Sequence, residues 1–191
     1  MGFHQLLKLF ASFSSEVIEA RWLGYLPATV SEIEQLQTRL NIKLPPSYRN
    51  FLTVSNGWRN LDTLSGRLFS TQEIDWLATR NQELIDAWMT GVVIGGGEIP
   101  ISDEAYFVYG DAQDTCLLRD EYLQTALVIG GNPQEELILL NPQVIFDNGE
   151  WEAWLFAHWF PGAQRYKSFR ELMLDMYSSL LDLLPKLREL P

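Results

Sequence analysis

Residues 137–156 read LILLNPQVIFDNGEWEAWLF, and this stretch carries the clearest structural signal in the chain. Two apolar runs lie on either side of the dipeptide Asn148-Gly149. Because Asn and Gly both accept a positive φ, the dipeptide predicts a type I′ turn between two strands. A β-hairpin at this point is the centre of the predicted sheet.

Working outward from the hairpin, further short runs of strand-forming residues alternate with turn residues such as Gly130-Gly131. We expect strands at residues 67–70, 99–101, 105–109, 115–118, 127–129, 137–140, 144–146 and 151–156. Consecutive short strands with brief connections predict one mainly antiparallel sheet.

Apolar residues at helical spacing occupy both ends of the chain. We expect helices at residues 3–18, after the Thr29–Glu32 capping box, after Pro45-Pro46 up to Asn56-Gly57, within 71–89, and after the Ser168–Glu171 capping box. The order predicts an α+β fold with N-terminal helices, a central mainly antiparallel sheet and a C-terminal helix packed on the sheet. Residues 1–26 form an amphipathic helical extension in this interpretation, and residues 27–191 form one domain.

The charge is strongly unbalanced, with 14 basic against 25 acidic residues and a formal net charge of −11. The excess lies in residues 81–164, which contain 14 acidic residues and a single basic one, Arg119. Binding to a phosphate backbone needs clustered Lys and Arg, so nucleic acid is excluded as the expected partner. Hydrophobic residues make up 47% of the chain, which predicts that the acidic block folds.

Cys116 is the only cysteine, which excludes an intramolecular disulfide and fits the reducing cytoplasm. The N-terminal residues lack a secretory pattern. No apolar run approaches the ~18 residues that a membrane-spanning helix requires. We therefore expect a cytoplasmic protein that does not enter a membrane.

The residues that could support catalysis are few. We interpret Cys116 as a small core residue on a strand, and His158 as a half-buried ring bonded to a backbone carbonyl. The glycines at residues 91–97 are followed by Glu98 and Pro100, which oppose phosphate binding. We expect no catalytic, cofactor-binding or metal-binding residues.

Several motifs, taken in order, resemble the SUKH superfamily. The first are LPPSYRNFL at 44–52 and SNGW at 55–58, and the later ones are VIGG at 128–131, LILLNP at 137–142, DNGEWEAW at 147–154 and SFRELM at 168–173. The superfamily is named for yeast cell-wall-assembly regulators of the Smi/Knr type and has bacterial relatives that include toxin-immunity proteins. The resemblance implies an α+β fold with no shared catalytic machinery.

The resemblance and the charge together suggest a protein-binding function. The resemblance implies an immunity protein that neutralises a basic, often nuclease-type toxin, and the acidic block is the electrostatic counterpart of such a partner. We expect docking through the charges of Asp103, Glu104, Asp111, Asp114, Asp120 and Glu121, with Tyr106, Tyr109 and Trp58 as aromatic anchors. The alternatives are a solvated acidic face that maintains solubility, an intracellular regulatory or scaffold protein, and an uncharacterised enzyme.

Overall fold

The computed structural model describes Glu19 and residues 22–62, 66–90, 101–132, 136–157 and 161–188. Within these ranges the chain forms six α-helices and two 3-10 helices. The helices are α1 (Val30–Leu40), α2 (Pro46–Val54), α3 (Leu77–Arg80), α4 (Gln82–Met89), α5 (Asp103–Tyr106), η1 (Gly110–Ala112), η2 (Asp120–Thr125) and α6 (Phe169–Arg188). The helix predicted at residues 3–18 lies outside the described residues.

Among the described residues, seven strands form one sheet in which each pairing is antiparallel. The strands are β1 (Trp58–Asp62), β2 (Gly66–Leu68), β3 (Asp75–Trp76), β4 (Leu127–Asn132), β5 (Glu136–Ile145), β6 (Trp151–Ala157) and β7 (Ala163–Tyr166). Their order is β1-β2-β4-β5-β6-β7, and β3 also pairs with β4. The predicted α+β class with a central antiparallel sheet is confirmed.

The β5–β6 hairpin is confirmed, but its turn differs from the predicted type I′ turn. Gly149 has a φ of 78°. Asn148 does not take a positive φ, and its side chain accepts the Glu150 N–H at 3.1 Å. The Gly149 N–H donates to the Phe146 carbonyl at 2.8 Å. A single glycine with a positive φ therefore closes the hairpin, as is common in hairpin loops of three or more residues.

The sheet is covered by helices on both faces. On one side, the ring centroid of Trp88 in α4 lies 5.1 Å from that of Phe156 in β6, and we name this side the α4 face. On the other side Ala153 pairs in register with Tyr166, whose hydroxyl donates to Asp175 of α6 at 2.8 Å. Helices α2 and α6 contact each other on this second side, the α6 face. The sheet is thus the middle of three layers.

Both predicted capping boxes provide helix-starting hydrogen bonds. The Thr29 side chain accepts the Glu32 N–H at 3.2 Å, and the Glu32 carboxylate accepts the Thr29 N–H at 2.7 Å. At α6 the Ser168 hydroxyl accepts the Glu171 N–H at 3.1 Å. The Glu171 carboxylate accepts from Lys167, one residue earlier than in a regular box, at 3.0 Å. Both helices therefore begin where the sequence predicts.

Two of the predicted strands are wrong. Residues 105–109 contain the end of α5, and residues 115–118 begin with a turn and belong to no strand. The Ser102 hydroxyl caps α5 by accepting a backbone N–H at 3.3 Å, and the Asp114 carboxylate accepts the Cys116 N–H at 2.9 Å. Such local side-chain hydrogen bonds give the backbone an alternative to strand pairing.

Two other predictions are met only in part. Residues 71–89 do contain helices, α3 and α4, but these follow a turn and the short strand β3. The strand expected at residues 99–101 lies largely outside the described residues, and Ile101 itself belongs to no strand.

An ion pair links β2 to the turn that precedes β3. The Arg67 guanidinium donates to both carboxylate oxygens of Glu73, with Nη1 at 3.0 Å from Oε2. Glu73 also accepts from the Ser70 N–H at 3.1 Å and from its hydroxyl at 2.8 Å. The bonds from Arg67, and then those from Ser70, lower the pKa of the Glu73 carboxyl to about 2.

Replacing Glu73 with Gln is expected to reduce the acid sensitivity of folding. A carboxyl whose pKa is lowered in the folded state stabilises the fold fully above its unfolded pKa, and this stabilisation is lost as the pH falls towards about 2. Both side chains are more than one-third exposed, so solvent screens the ion pair. We therefore expect the pair to contribute only on the order of 1 kcal/mol to the free energy of unfolding.

The measurement is the free energy of unfolding by urea from about pH 6 down to about pH 2.5, for the natural protein and for Glu73→Gln. We expect the difference between them to shrink as the pH falls, whereas Glu34→Gln at an exposed site of α1 should show no such trend. If the free energies of unfolding of the natural protein and of Glu73→Gln differ by a constant amount over this pH range, the lowered pKa of Glu73 is contradicted.

Candidate functional site

Most of the predicted docking residues lie between Ile101 and Thr125, a stretch that we name the acidic segment. It contains α5, η1 and η2, and six of its seven charged residues are acidic. Asp120 is half-buried. The other five acidic residues are exposed: Asp103, Glu104, Asp111, Asp114 and Glu121.

Two tyrosines attach the acidic segment to the sheet. The hydroxyl of buried Tyr106 donates to Oε2 of Glu152 in β6 at 2.8 Å. The hydroxyl of half-buried Tyr109 donates to Oε1 of the same carboxylate at 2.8 Å. Because one strand carboxylate binds both rings, the end of α5 and the approach to η1 are fixed relative to β6.

The Glu152 carboxylate is fully buried and binds further donors on the α4 face. Oε2 accepts from Asn141 Nδ2 at 3.0 Å and from Trp154 Nε1 at 2.7 Å. Nη1 of Arg165, in β7, lies 3.6 Å from Oε1. Four hydrogen bonds and a guanidinium compensate for the hydration that a buried carboxylate loses. We name these six residues the Glu152 cluster: Tyr106, Tyr109, Asn141, Glu152, Trp154 and Arg165.

The Arg165 guanidinium is held between the sheet and the tyrosines. Its central carbon lies 4.1 Å from the ring centroid of Tyr106 and 5.6 Å from that of Tyr109, within cation–π range. It also donates to the Tyr106 carbonyl. Burial, followed by the nearby Glu152 carboxylate, raises the pKa of both phenols above the ordinary value. Both hydroxyls therefore stay protonated and continue to donate at physiological pH.

The acidic segment also covers the outer edge of β7. Gln113 Oε1 accepts the Arg165 N–H at 2.7 Å, and Gln113 Nε2 donates to the Arg165 carbonyl at 2.8 Å. The Ala163 N–H donates to the Thr115 carbonyl at 3.0 Å. A Cβ at Gly162 would lie 1.8 Å from that carbonyl oxygen, so the approach requires glycine. The segment thus substitutes for a neighbouring strand at an edge that would otherwise be unpaired.

Arg119, the single cation of the acidic segment, binds within the segment. Its Nη2 donates to the Ile101 carbonyl at 2.9 Å and to Asp103, and its Nη1 donates to the Tyr122 hydroxyl at 3.0 Å. The guanidinium carbon lies 4.6 Å from the Tyr106 ring centroid. The side chain that could offset the acidic charge is therefore bound internally, and Asp103 is partly neutralised.

The structure separates the three predicted aromatic anchors. Trp58 lies on β1, at the opposite edge of the sheet from β7, and packs edge-on against Phe51 with ring centroids 5.9 Å apart. Tyr106 is buried, so its ring is not presented at the surface. Tyr109 is half-buried within the acidic segment. Docking through Trp58 or Tyr106 would therefore require a different surface or a rearrangement, and docking through Tyr109 stays a prediction.

Sequence reasoning missed Glu152, Asn141 and Arg165. The sequence contains one weak indication, because Glu152 lies between Trp151 and Trp154 in an otherwise apolar run that is predicted to be a strand. A charged residue at such a position indicates a buried polar cluster. Arg165 carries no comparable signal, because its partners come from distant parts of the chain.

The residues considered for catalysis do not assemble into a site in the described part of the chain. Cys116 is exposed in a turn, so its assignment to a strand core is wrong. His158 lies outside the described residues. In the ranges that the structure covers, no three His, Cys, Asp or Glu side chains converge in a way that could hold a metal ion.

Apart from the acidic segment, a concave surface lies near the start of the described chain. This open cleft of about 920 Å³ is bordered by residues 22–27 and by the turn at residues 70–73. Its arginines are both engaged, because Arg67 binds Glu73 while Arg59 donates to the Gly24 carbonyl at 3.0 Å. Both arginines of the cleft are therefore held by groups of the protein itself.

The fold and the site together define an α+β domain in which the acidic segment is bound in a fixed position on the sheet. The chain belongs to the SMI1/KNR4 family (SUKH-1), whose family model matches residues 27–175. This confirms the resemblance seen in the sequence motifs and supports a non-catalytic domain of this family. No curated protein and no solved structure matches the chain significantly. In the described part of the chain, no helix is long and apolar enough to cross a bilayer.

Proposed function

We propose that this protein is a cytosolic, non-enzymatic binding domain that neutralises a basic toxin, in the manner of an immunity protein. The observation that carries the proposal is the acidic segment, in which five exposed acidic residues lie on a stretch bound to the sheet by the Glu152 cluster. A toxin that acts on nucleic acid needs positive charge to bind phosphates. The acidic segment is complementary to such a surface.

Electrostatic complementarity acts mainly on the rate of encounter. Opposite surface charges can raise an association rate from about 10⁵–10⁶ to about 10⁸–10⁹ M⁻¹s⁻¹ at low salt. An immunity protein benefits from fast association because it must bind the toxin before the toxin reaches its target. Binding through the acidic segment should therefore weaken steeply with salt.

The fixed position of the acidic segment supports affinity as well as rate. A flexible acidic loop would lose conformational entropy on binding, whereas a preorganised surface loses less. Tyr106, Tyr109 and Gln113 immobilise the segment at three points before any partner arrives. The exposed carboxylates of the acidic segment can therefore meet a partner without further ordering of the backbone.

The test is a titration of the purified protein against the purified toxin domain encoded by the adjacent gene. We expect a 1:1 complex of nanomolar affinity, and co-expression should rescue cells from the toxin. The absence of both a complex and rescue with that toxin would refute the immunity function.

Family membership fits a second candidate, an intracellular regulatory or scaffold domain with an endogenous partner. This function predicts that no toxin gene lies beside the gene for this protein. It also predicts that the partner isolated from the host is a resident protein. Inspection of the neighbouring genes therefore separates the two candidates before any titration.

A further inference from the structure

One aromatic side chain of the acidic segment is exposed at the surface. Phe107 directly follows the buried Tyr106 and is 42% exposed. The structure describes all of the residues from Ile101 to Thr125, and among them no other large apolar side chain is exposed to this extent. The three predicted anchors do not include Phe107. It is therefore the most accessible aromatic ring of the acidic segment.

The exposed ring is held in a fixed position. The Phe107 N–H donates to the Asp103 carbonyl at 2.9 Å, which continues the helical turn of α5. The ring packs edge-on against Tyr106, with centroids 5.2 Å apart and planes at 88°. Tyr106 is fixed in turn, because its hydroxyl donates to the buried Glu152 carboxylate. An aromatic side chain that is already ordered loses little conformational entropy when a partner binds it.

The surroundings of this ring already bind two guanidinium groups of the chain itself. The Arg165 guanidinium carbon lies 4.1 Å from the Tyr106 ring centroid, beside the Glu152 carboxylate. The Arg119 guanidinium carbon lies 4.6 Å from the same centroid, and the guanidinium donates to Asp103. In both cases an aromatic ring and a carboxylate bind an arginine together, which is the combination that suits a planar cation.

Phe107 and Glu104 offer the same two groups at the surface. Glu104 precedes Phe107 by three residues, and this spacing brings the Cβ atoms of a helical turn to about 5–6 Å from each other. Glu104 is exposed, and in the ranges that the structure covers it forms no ion pair. Arg119, whose guanidinium carbon lies 5.6 Å from the Phe107 centroid, is paired with Asp103. The charge beside the exposed ring is therefore that of Glu104.

We propose that Phe107 and Glu104 form a subsite for an arginine side chain of the basic partner, an inference that rests on the proposed function. The partner's guanidinium stacks on the Phe107 ring and donates to the Glu104 carboxylate. Arginine fits better than lysine, because its planar fork both stacks on a ring and binds a carboxylate through two N–H groups, whereas an ammonium is a compact, strongly hydrated charge. A partner that binds phosphates carries such side chains, because the same fork matches a phosphate.

The subsite acts at a different stage of binding from the other exposed carboxylates. Charges at the rim of an interface steer the encounter and change mainly the association rate. An aromatic anchor that loses its water on binding instead slows dissociation, where most differences in affinity arise. Loss of the Phe107 ring should therefore speed dissociation about 10-fold while the association rate and its salt dependence change little.

The first test titrates the isotope-labelled full chain at low salt with two capped peptides of equal charge, triarginine and trilysine. The NMR signals of the Phe107 ring and of the Glu104 amide should shift on titration. We expect triarginine to bind about 3- to 10-fold more tightly than trilysine, because stacking and forked hydrogen bonds add to the charge. Equal affinities, or shifts that leave out both residues, would overturn the proposal.

Two variants assign this preference to the ring. Phe107→Leu keeps a large apolar side chain but removes the aromatic face, so the two peptides should then bind equally. Tyr177→Leu removes a ring of α6 that is 58% exposed and lies outside the acidic segment, and it should leave the preference intact. A preference for triarginine that survives Phe107→Leu would overturn the proposal.

Glu104→Gln tests the other half of the subsite without changing the packing of the ring, so it also serves if Phe107→Leu does not fold. The preference for triarginine should fall below about 2-fold, because the forked hydrogen bonds to a carboxylate are lost. Glu121→Gln removes an exposed charge elsewhere in the acidic segment and should leave the preference unchanged. An unchanged preference in Glu104→Gln would contradict the subsite.

The second test separates the subsite from the immunity function. Stopped-flow kinetics with the toxin domain should show that Phe107→Leu dissociates about 10-fold faster than the natural protein. If the natural protein binds the toxin and Phe107→Leu dissociates at the same rate, the subsite is overturned while the immunity function stands. If the natural protein forms no complex with the toxin, the immunity function is refuted, and the peptide titrations decide the subsite.

Discussion

Replacing Glu152 with alanine is expected to destabilise the domain by about 3–5 kcal/mol, the usual result of breaking a buried ion pair by removing one partner. Arg165 would remain buried without its carboxylate, 3.6 Å away in the natural protein. Tyr106, Asn141 and Trp154 would also each lose an acceptor. Unpaired buried donors add their own desolvation cost.

Urea unfolding measures this effect, with Glu104→Ala as the control because Glu104 is exposed in the same segment. The control should change the free energy of unfolding by less than about 0.5 kcal/mol. If Glu152→Ala does not fold, Tyr109→Phe tests the same cluster, with an expected loss of about 1 kcal/mol. A loss below about 1 kcal/mol for Glu152→Ala would show that the cluster does not hold the segment.

Reversing the charge of Asp111 and Asp114 together is expected to weaken binding of the basic toxin about 10- to 100-fold. Both residues are exposed in the part of the segment that follows Tyr109. The loss should appear mainly as slower association at low salt, because charges at the rim of an interface steer encounter. Surface plasmon resonance at several salt concentrations would measure both rates.

Asp114 needs a separate check because its carboxylate accepts the Cys116 N–H at 2.9 Å. The double change Asp111→Asn with Asp114→Asn keeps an oxygen acceptor at both positions and removes the charge. We expect this variant to lose about half as much binding free energy as the lysine pair. An asparagine pair that binds like the natural protein, beside a lysine pair that does not, would mean that lysine disrupts the turn.

Local signals were sufficient to predict the fold. The Thr29–Glu32 capping box, Pro46 at the start of α2 and Asn148-Gly149 between β5 and β6 each act within a few residues. These features depend little on the rest of the molecule, so sequence alone predicts them.

The acidic segment was harder to predict because its conformation depends on distant partners. Tyr106 and Tyr109 have the composition of surface anchors, yet their hydroxyls bind Glu152, more than 40 positions later. Gln113 pairs with the backbone of Arg165, 52 positions away. Neither relationship has a local pattern, so the same residues suggested strands and exposed rings. Their charged neighbours Asp103, Glu104, Asp111, Asp114 and Glu121 are exposed, as the hydration of carboxylates favours, but all except Asp114 lie in the short helices α5, η1 and η2 rather than in loops.

The most direct test of docking through the acidic segment compares two double variants with the same change in net charge. Asp111→Lys with Asp114→Lys alters the segment, and Glu34→Lys with Asp147→Lys alters exposed sites in α1 and the β5–β6 turn. Titration calorimetry against the toxin domain at low salt should show about 10- to 100-fold weaker binding for the first pair and less than about 3-fold for the second. Equal losses for both pairs, or no loss for the first, would contradict docking through the acidic segment.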